Sequence, residues 1–244
     1  MKNKNKFWFF SFVILAVTVM LSNGYKNFSV QDVPIYPGTT FPAVKIGNLW
    51  WAPVNAGYDT SHKFGLLFQW GRMYGQGYST AETPRLKMVA GLVTTDVGNN
   101  VANKDKFYKK DSSPHDWCSA QLPSWDMTSF NPCPSGWRVT TTSELFELYS
   151  TGSTWVKSGG PDYLPGRWFG GNHDGDHTGS IFLPAAGLRE PADGSLNHVR
   201  WTGNYWSESP SEKYSFFLNF DGRRVYAAGY NGRAFGLSVR CVRE

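Results

Sequence analysis

Charged residues and cysteines are both scarce in this sequence of 244 residues. Asp, Glu, Lys and Arg together make up 18% of the chain, and there are three cysteines. The formal net charge is +5, but it falls to +2 without Lys2, Lys4 and Lys6 at the N-terminus. So small a positive charge excludes a nucleic-acid-binding protein that relies on a basic surface.

Long apolar runs are also missing, except at the N-terminus. There, residues 7–20 form an apolar run that only Ser11 and Thr18 interrupt, directly after the three lysines. A basic start followed by such a run is typical of a secretory signal peptide, whereas a membrane-spanning helix needs about 20 apolar residues. No cysteine follows the run to serve as a lipoprotein attachment site.

The sequence therefore predicts a signal peptide over residues 1–24 and an exported protein, located in the periplasm, at the cell surface or outside the cell. Contact with a membrane is expected only through the signal segment, if it is uncleaved. Residues 25–43 are polar and contain prolines, and they predict an extended leader. Residues 44–244 have a length that fits one domain.

Aromatic residues and glycine are abundant, with 17 Phe, 12 Tyr, 11 Trp and 26 Gly. This composition favours short strands and tight turns over helices. Residues 99–114 are rich in polar side chains and predict a solvated loop. Short apolar runs bounded by Gly or Pro predict strands at Val44–Ile46, Leu49–Trp51 and residues 66–70, 181–183, 204–207, 215–220 and 236–242.

One helix is predicted at residues 142–151. Thr141 and Glu144 have the spacing of a capping box, and Leu145, Leu148 and Tyr149 follow at the spacing of one apolar helix face. A second helix is predicted around residues 84–90.

Six short phrases of the sequence, taken together, resemble a known family. They are WWAPVNAGY at 50–58, FQWGR with YGQGY at 68–78, NPCPSGWR at 131–138, LPAAG at 183–187, YWS at 205–207 and SVRCVR at 238–243. In this order they resemble the Fibrobacter succinogenes major paralogous domain, which is abundant in exported proteins of Bacteroidetes. The resemblance covers residues 44–244. It implies an α+β fold of the C-type-lectin-like kind, with small twisted antiparallel sheets, one or two helices, long loops, and termini brought together.

The C-terminal part also resembles the variable proteins of diversity-generating retroelements, which rewrite adenine-bearing codons and display the result on a lectin-like fold. The resemblance rests on YWS at 205–207 and RAFGLSVR at 233–240. Lys, Glu, Gln, Met and Trp, which cannot arise from an Asn codon by changing its adenines, are all absent from residues 214–243.

This resemblance predicts a ligand-binding surface in the C-terminal part of the chain. Tyr and Arg are frequent in the residues that dominate binding interfaces, and Tyr, Ser, Gly and Asn are frequent in antibody loops. The expected partner is a protein or glycan on a host or neighbouring cell, and not a nucleic acid. The predicted surface residues are Asn204, Glu208, Tyr214, Phe217, Asp221, Arg223, Arg224, Tyr226, Tyr230, Asn231, Phe235 and Leu237.

Alternation along residues 215–220 divides the core from this surface. Successive side chains of a strand point to opposite faces. Phe216, Leu218 and Phe220 therefore share one face, which we expect to be core. Phe217 lies on the opposite, polar face, as expected for a residue that contacts a ligand.

The family resemblance also implies how the cysteines pair. A lectin-like fold places the start of its helix beside the terminal strand, which implies a Cys133–Cys241 disulfide and leaves Cys118 as the remaining thiol. A Cys118–Cys133 disulfide and a protein with unpaired thiols stay open as alternatives.

Four features argue against an enzyme and against a bound ion. No motif organises a catalytic serine, and the formylglycine-generating enzyme, which shares the lectin-like fold, needs a pair of reactive cysteines. The segments 190–192 and 201–203 lack the ligands of a calcium-dependent lectin. Asn172, Asp174 and Asp176 alternate like a calcium loop, but no Glu follows at the spacing of an EF-hand, so we expect a polar turn.

The sequence thus predicts a binding protein without a cofactor, for which calcium is possible but unsupported. A structural or pilus-associated surface component is the alternative, and an enzyme like the formylglycine-generating one is a remote alternative.

Overall fold

Short strands separated by loops make up most of the fold. The computed structural model describes residues 33–78, 87–110, 112–113, 115–119, 124–125 and 129–243, so the predicted signal peptide lies outside the described residues. The strands are β1 (Val44–Ile46), β2 (Leu49–Trp51), β3 (Phe68–Gln69), β4 (Lys87–Ala90), β5 (Lys106–Lys109), β6 (Arg138–Val139), β7 (Ser153–Val156), β8 (Gly166–Phe169), β9 (Ile181–Pro184), β10 (Leu188–Arg189), β11 (Leu196–Asn197), β12 (Gly203–Ser211), β13 (Tyr214–Phe220), β14 (Val225–Gly232), β15 (Gly236–Leu237) and β16 (Cys241–Arg243).

Helical structure is limited in these ranges to α1 (Thr95–Gly98), α2 (Thr142–Ser150) and 3-10 turns at Val101–Asn103 and Pro161–Tyr163. Among the described residues, no helix has the length and apolarity needed to cross a membrane. The sheets have the strand orders β1-β2-β16-β6, β11-β10-β15-β3, β12-β13-β14 and β7-β8-β9, all antiparallel, and β4 pairs with β5 in parallel. The predicted α+β class, with small antiparallel sheets and few helices, is confirmed.

The beginning and the end of the described chain meet in the sheet β1-β2-β16-β6. Trp51 of β2 pairs with β1 on one side and with Val242 of β16 on the other. A two-residue turn joins β1 to β2, and its first residue, Gly47, has φ +61°. A left-handed residue is what such a turn requires, and Gly adopts it without a steric cost.

The predicted disulfide between Cys133 and Cys241 is confirmed. The two Cα atoms lie 5.9 Å apart, and Cys241 belongs to β16. Tyr36 donates a hydrogen bond to Cys241 Sγ at 3.4 Å and packs edge-on against Trp137, with 5.0 Å between the ring centroids. Cys118, the third cysteine, is a buried thiol.

The extended leader predicted over residues 25–43 needs a correction. Tyr36 is 3% exposed and Ala43 is also buried, and Ile35 forms an isolated bridge with Pro42. Residues 33–43 therefore belong to the compact unit, which begins at Val33. Residues 25–32 of the predicted leader lie outside the described residues.

The sheet β12-β13-β14 separates two apolar clusters of the core. Tyr205 and Trp206 are adjacent on β12, so their side chains point to opposite faces, and each is completely buried in a different cluster. Trp206 packs with Trp70 and other aromatic residues on one face. Leu218 packs with Tyr205 and the helix α2 on the other face.

The helix α2 forms as predicted, with one difference. Thr141 Oγ1 accepts from the Glu144 amide at 3.2 Å, and Glu144 Oε2 accepts from the Thr141 amide at 2.8 Å, which completes the capping box. Leu145 and Leu148 are both 1% exposed. Tyr149, which the spacing assigned to the same apolar face, is 41% exposed, because the sheet covers only part of the apolar face.

Two predicted segments are wrong. The loop predicted over residues 99–114 contains β5, in which Phe107 and Tyr108 are buried. The side-chain amide of Gln69 forms two hydrogen bonds with the backbone of β5, as a neighbouring strand would. Its Oε1 accepts from the Tyr108 amide at 3.0 Å, and its Nε2 donates to the Tyr108 carbonyl at 2.8 Å. The helix predicted at 84–90 is the strand β4 over Lys87–Ala90, and residues 84–86 lie outside the described residues.

Two predicted strands are shorter than expected. The strand predicted at 66–70 is reduced to β3, and the one at 236–242 is divided into β15 and β16. β15 and β16 belong to different sheets. The chain changes sheet between them at Arg240, whose side chain is buried.

Reduction of the disulfide should destabilise the protein considerably. The bond joins residues 108 positions apart, and the chain-entropy model gives about 4.7 kcal/mol for a loop of this length. We expect urea denaturation of the Cys133→Ser/Cys241→Ser variant to show a loss of about 2–5 kcal/mol in the free energy of unfolding. An unchanged midpoint would contradict a stabilising role, and peptide mapping without reductant serves as the control for the pairing.

Candidate functional site

The strand β14 forms one side of the three-stranded sheet and carries two exposed aromatic side chains, Tyr226 and Tyr230. It pairs with β13 through partners that include Asn219 with Tyr226 and Phe216 with Tyr230. Tyr226 is 50% exposed and Tyr230 is 65% exposed, while Ala227 between them is buried in the core. The strand thus keeps its backbone in the sheet and presents both tyrosines to solvent.

A concave surface lies between these tyrosines and the helix α2. Phe146 and Tyr149 project from α2 with 5.8 Å between their ring centroids, and they are 54% and 41% exposed. They line a groove of about 540 Å³ together with Tyr226, Tyr230 and Phe217. We refer to this surface, defined by these five residues, as the aromatic groove.

Phe217 was predicted to be an exposed contact residue, but the structure makes it the partly buried floor of the aromatic groove. Its ring packs edge-on against the buried Trp206, with 6.0 Å between centroids. It also covers Gly229 of β14 so closely that a Cβ atom there would lie 2.8 Å from the ring. A larger residue at position 229 would therefore require this ring to shift. Phe217 has a packing role that Tyr226 and Tyr230 do not have.

Two predicted surface residues are in the interior. Asn204 is 3% exposed and Leu237 is 0% exposed. The Asn204 amide donates to the Gly187 carbonyl at 3.1 Å, and its oxygen accepts from Asn219 Nδ2 at 2.7 Å. These two residues cannot contact a ligand at the surface. Sequence reasoning missed this because β12 and β15 lie in the middle of the fold and are covered on both faces.

The face predicted to be core is mostly confirmed. Leu218 and Phe220 are both 0% exposed. Phe216 is only partly buried. The pairing of β13 with β14 is irregular between Phe217 and Asn219, so the alternation expected for an ideal strand is interrupted there.

Four other predicted residues lie around the hairpin without lining the aromatic groove. The Tyr214 ring contacts Tyr230 at 5.6 Å, and Phe235 packs edge-on against His115 at 5.8 Å. Asn231 accepts a hydrogen bond from the next amide at 2.9 Å. Burial raises the pKa of Glu208, and the positive charge of Arg138 opposes this shift.

The turn between β13 and β14 holds the predicted residues Asp221, Arg223 and Arg224. The Asp221 carboxylate accepts from the backbone amides of Arg223 and Arg224 at 2.6 and 2.8 Å, and these bonds lower its pKa. Arg224 donates to the Tyr226 hydroxyl at 3.1 Å. The turn therefore places one guanidinium beside the aromatic groove and uses Asp221 to fix the backbone.

The loop with Asn172, Asp174 and Asp176 is a polar turn, as expected. Asn172 Nδ2 donates to Asp176 Oδ1 at 2.9 Å, and the Thr178 amide donates to the same oxygen at 3.0 Å. Within the described part of the chain, no group of three His, Cys, Asp or Glu residues is arranged to hold a metal ion.

Phe146 and Tyr149 are the functional candidates that sequence reasoning missed. Their spacing of three residues repeats the spacing of the buried pair Leu145 and Leu148 one position earlier. An apolar stripe of this width indicates either a broad buried face or a buried face with an exposed rim. The sequence could not decide between them, because the answer depends on how far the sheet extends over the helix.

Comparison with models of known protein families, with curated protein sequences and with solved structures finds no match for this chain. The resemblance of its motifs to a lectin-like family therefore stays a prediction.

Removal of divalent ions should have little effect on stability. A bound ion would stabilise the folded state in proportion to the logarithm of its concentration over its Kd, and Asp176 already accepts hydrogen bonds from protein groups. We expect melting temperatures with and without excess EDTA to agree. A loss of many degrees that calcium restores would contradict this.

Replacing Tyr226 and Tyr230 by Ser should leave the fold intact. Both side chains are at least half exposed, and surface substitutions usually change the free energy of unfolding by no more than about 0.5 kcal/mol. Leu218→Ala should instead cost about 2–5 kcal/mol, as truncations in a core do. Both are measured by urea denaturation.

Phe217→Ser is the informative control in this series. It should cost more than either tyrosine variant because its ring packs on Trp206. Equal losses for Phe217, Tyr226 and Tyr230 would mean that the two tyrosines are part of the core.

Proposed function

We propose that the protein is an exported binding protein that contacts a protein or glycan on a host or neighbouring cell through the aromatic groove. The observation that carries the proposal is the exposure of Phe146, Tyr149, Tyr226 and Tyr230 on two adjoining elements. Exposed aromatic side chains that adjoin one another mark interaction surfaces more often than chance. Tyr in particular contributes a large contact area and a hydroxyl group at a small cost in side-chain entropy.

The arrangement of the groove supports binding rather than packing. Its floor is fixed, because Phe217 is held between Trp206 and Gly229. Its walls are two different elements, the helix α2 and the strand β14. A rigid floor with exposed walls reduces the entropy that is lost when a partner binds.

Export is supported by the Cys133–Cys241 disulfide. Disulfides persist in oxidising compartments outside the cytoplasm and are rare in cytosolic proteins. This agrees with the signal peptide predicted over residues 1–24. The proposed scaffold is the C-type-lectin-like fold, and its support is the antiparallel sheet in which β16 pairs with β2.

Diversification by a retroelement is a further part of the proposal. Tyr226 and Tyr230 project from β14 into solvent, where substitutions do not disturb the core. A reverse-transcriptase gene and a template repeat that differs from the gene only at adenines, found beside it in the genome, would support this. A genome without them would contradict it and would leave the binding surface unaffected.

The binding proposal is tested with the mature chain on a glycan array and on intact host and bacterial cells. Tyr226→Ser/Tyr230→Ser should reduce the retained signal by on the order of tenfold or more, since central aromatic residues dominate binding interfaces. The melting temperature of the variant, measured in parallel, should remain that of the parent.

Tyr163→Ser is the matched control, because Tyr163 is 83% exposed and does not line the aromatic groove. It should retain the signal of the parent protein. If both variants bind as the parent does, the aromatic groove is not the contact surface and the proposal fails.

A further inference from the structure

A second groove, separate from the aromatic groove, lies where three loops meet. Trp155 and Lys157 come from β7 and the residue after it, and Arg200 and Trp201 come from the loop between β11 and β12. Arg223 comes from the turn between β13 and β14. These five residues line a groove of about 910 Å³, which we call the cationic groove.

Positive charge outweighs negative charge in the cationic groove. Lys157, Arg200 and Arg223 are exposed. Among the residues that the structure describes, no carboxylate lies within 4.0 Å of their charged nitrogens. Asp221 also lines the groove, but its carboxylate already accepts two backbone hydrogen bonds. Three cations around one carboxylate produce a positive potential that favours an anion.

Trp201 adds a flat apolar surface to this potential. It is 74% exposed, which is unusual for so large an aromatic side chain. Its amide donates to the His198 carbonyl at 2.9 Å, and the Arg200 amide donates to the Ala185 carbonyl at 2.8 Å. The exposed Trp201 thus belongs to a turn whose backbone is fixed by hydrogen bonds.

The backbone of this turn is unusual as well. His198 has φ +53° and Arg200 has φ +71°, a left-handed conformation that residues other than glycine seldom adopt. Two such residues within three positions persist only where the surrounding structure fixes them, and they concentrate at ligand-binding sites.

Trp155 provides a second indole, which is partly buried. Its ring packs edge-on against the buried Phe220 at 6.4 Å. A Cβ atom at Gly222 would lie 3.4 Å from its Nε1, so the ring also lies against the turn that carries Arg223. The groove therefore combines a partly buried indole, an exposed indole and three cations from separate elements.

We propose that the cationic groove is a binding site for an acidic saccharide. Sugar rings have flat faces of C–H groups that pack on an indole, and their carboxylate or sulfate groups are suited to the fork of donors on Arg. Peptides are usually held along a strand edge or in deep pockets for single side chains. The groove offers instead indole surface and separated cations, which match a ring-shaped anionic ligand.

The test measures binding of the mature protein to three immobilised probes: a sulfated glycosaminoglycan, polygalacturonate and neutral dextran. We expect binding to one or both acidic saccharides, weakening as salt is raised, and no binding to dextran. Comparison of binding to the glycosaminoglycan and to polygalacturonate shows whether the site prefers sulfate or carboxylate groups. Equal retention on dextran, or no retention on either acidic saccharide, would overturn the proposal.

Two independent variants locate the site. Trp201→Ala and Arg200→Gln/Arg223→Gln should each weaken binding by on the order of tenfold or more, with an unchanged melting temperature because these side chains are exposed. Lys213→Gln/Arg243→Gln removes the same charge from exposed positions elsewhere and should bind as the parent does. An equal loss in this control would show general attraction to a basic protein and would refute a built site.

Soluble polyglutamate distinguishes a saccharide from an acidic peptide. It should compete poorly at equal charge concentration, and competition as strong as that of the saccharide would overturn the choice of ligand. Tyr226→Ser/Tyr230→Ser should retain saccharide binding, so this site and the aromatic groove can fail or succeed separately.

Discussion

Buried guanidinium groups that bind loop carbonyls are the interaction on which this fold depends most. Strands of two to four residues satisfy few backbone groups, and carbonyls buried in loops still need donors. Arg240 meets this need at the centre of the molecule, since it donates to the carbonyls of Ala52 and Phe182 and to Asn55 Oδ1, all at 2.7–3.1 Å. A rigid fork of five donors can join three segments in this way, which a Lys ammonium cannot do with the same geometry. Other arginines that are almost completely buried are Arg72, Arg189 and Arg233.

These arginines explain what the conspicuous phrases of the sequence do. Arg72 donates to the carbonyls of Gly98, Asn103 and Lys106, and so fixes the segment that the sequence predicted to be a solvated loop. Trp206 of the YWS phrase donates from its indole to the Phe68 carbonyl. Several of the residues that suggested a family therefore donate to backbone carbonyls in the interior. They define a scaffold, and a ligand cannot be read from them.

The parts of the fold that could be predicted are those with a local cause. The capping box of Thr141 and Glu144 depends on two residues of one helical turn, and it was recognisable from spacing. β5 was missed because its partners, the strand β4 and the side chain of Gln69, are distant along the chain, and Gln69 is 39 positions away. The candidate site was predicted only in part, because some of its contacts also join residues that are distant along the chain. Alternation identified Leu218 as core, but only the packing of Trp206 shows that Phe217 is a floor and not a contact.

The hairpin β13-β14 shows how a fold of this kind separates its exposed positions from the positions that stabilise the core. Ala227 is buried in the core and Gly229 accommodates the ring of Phe217, so these two positions are constrained in size. Tyr226 and Tyr230 alternate with them on the same strand, and their side chains leave the sheet toward solvent. Because the backbone of β14 is held by pairing with β13, the identity of the outward side chains has little effect on the sheet. Positions that are constrained in size therefore alternate with exposed positions along one strand. Substitutions at the exposed positions can change the surface while the core stays the same.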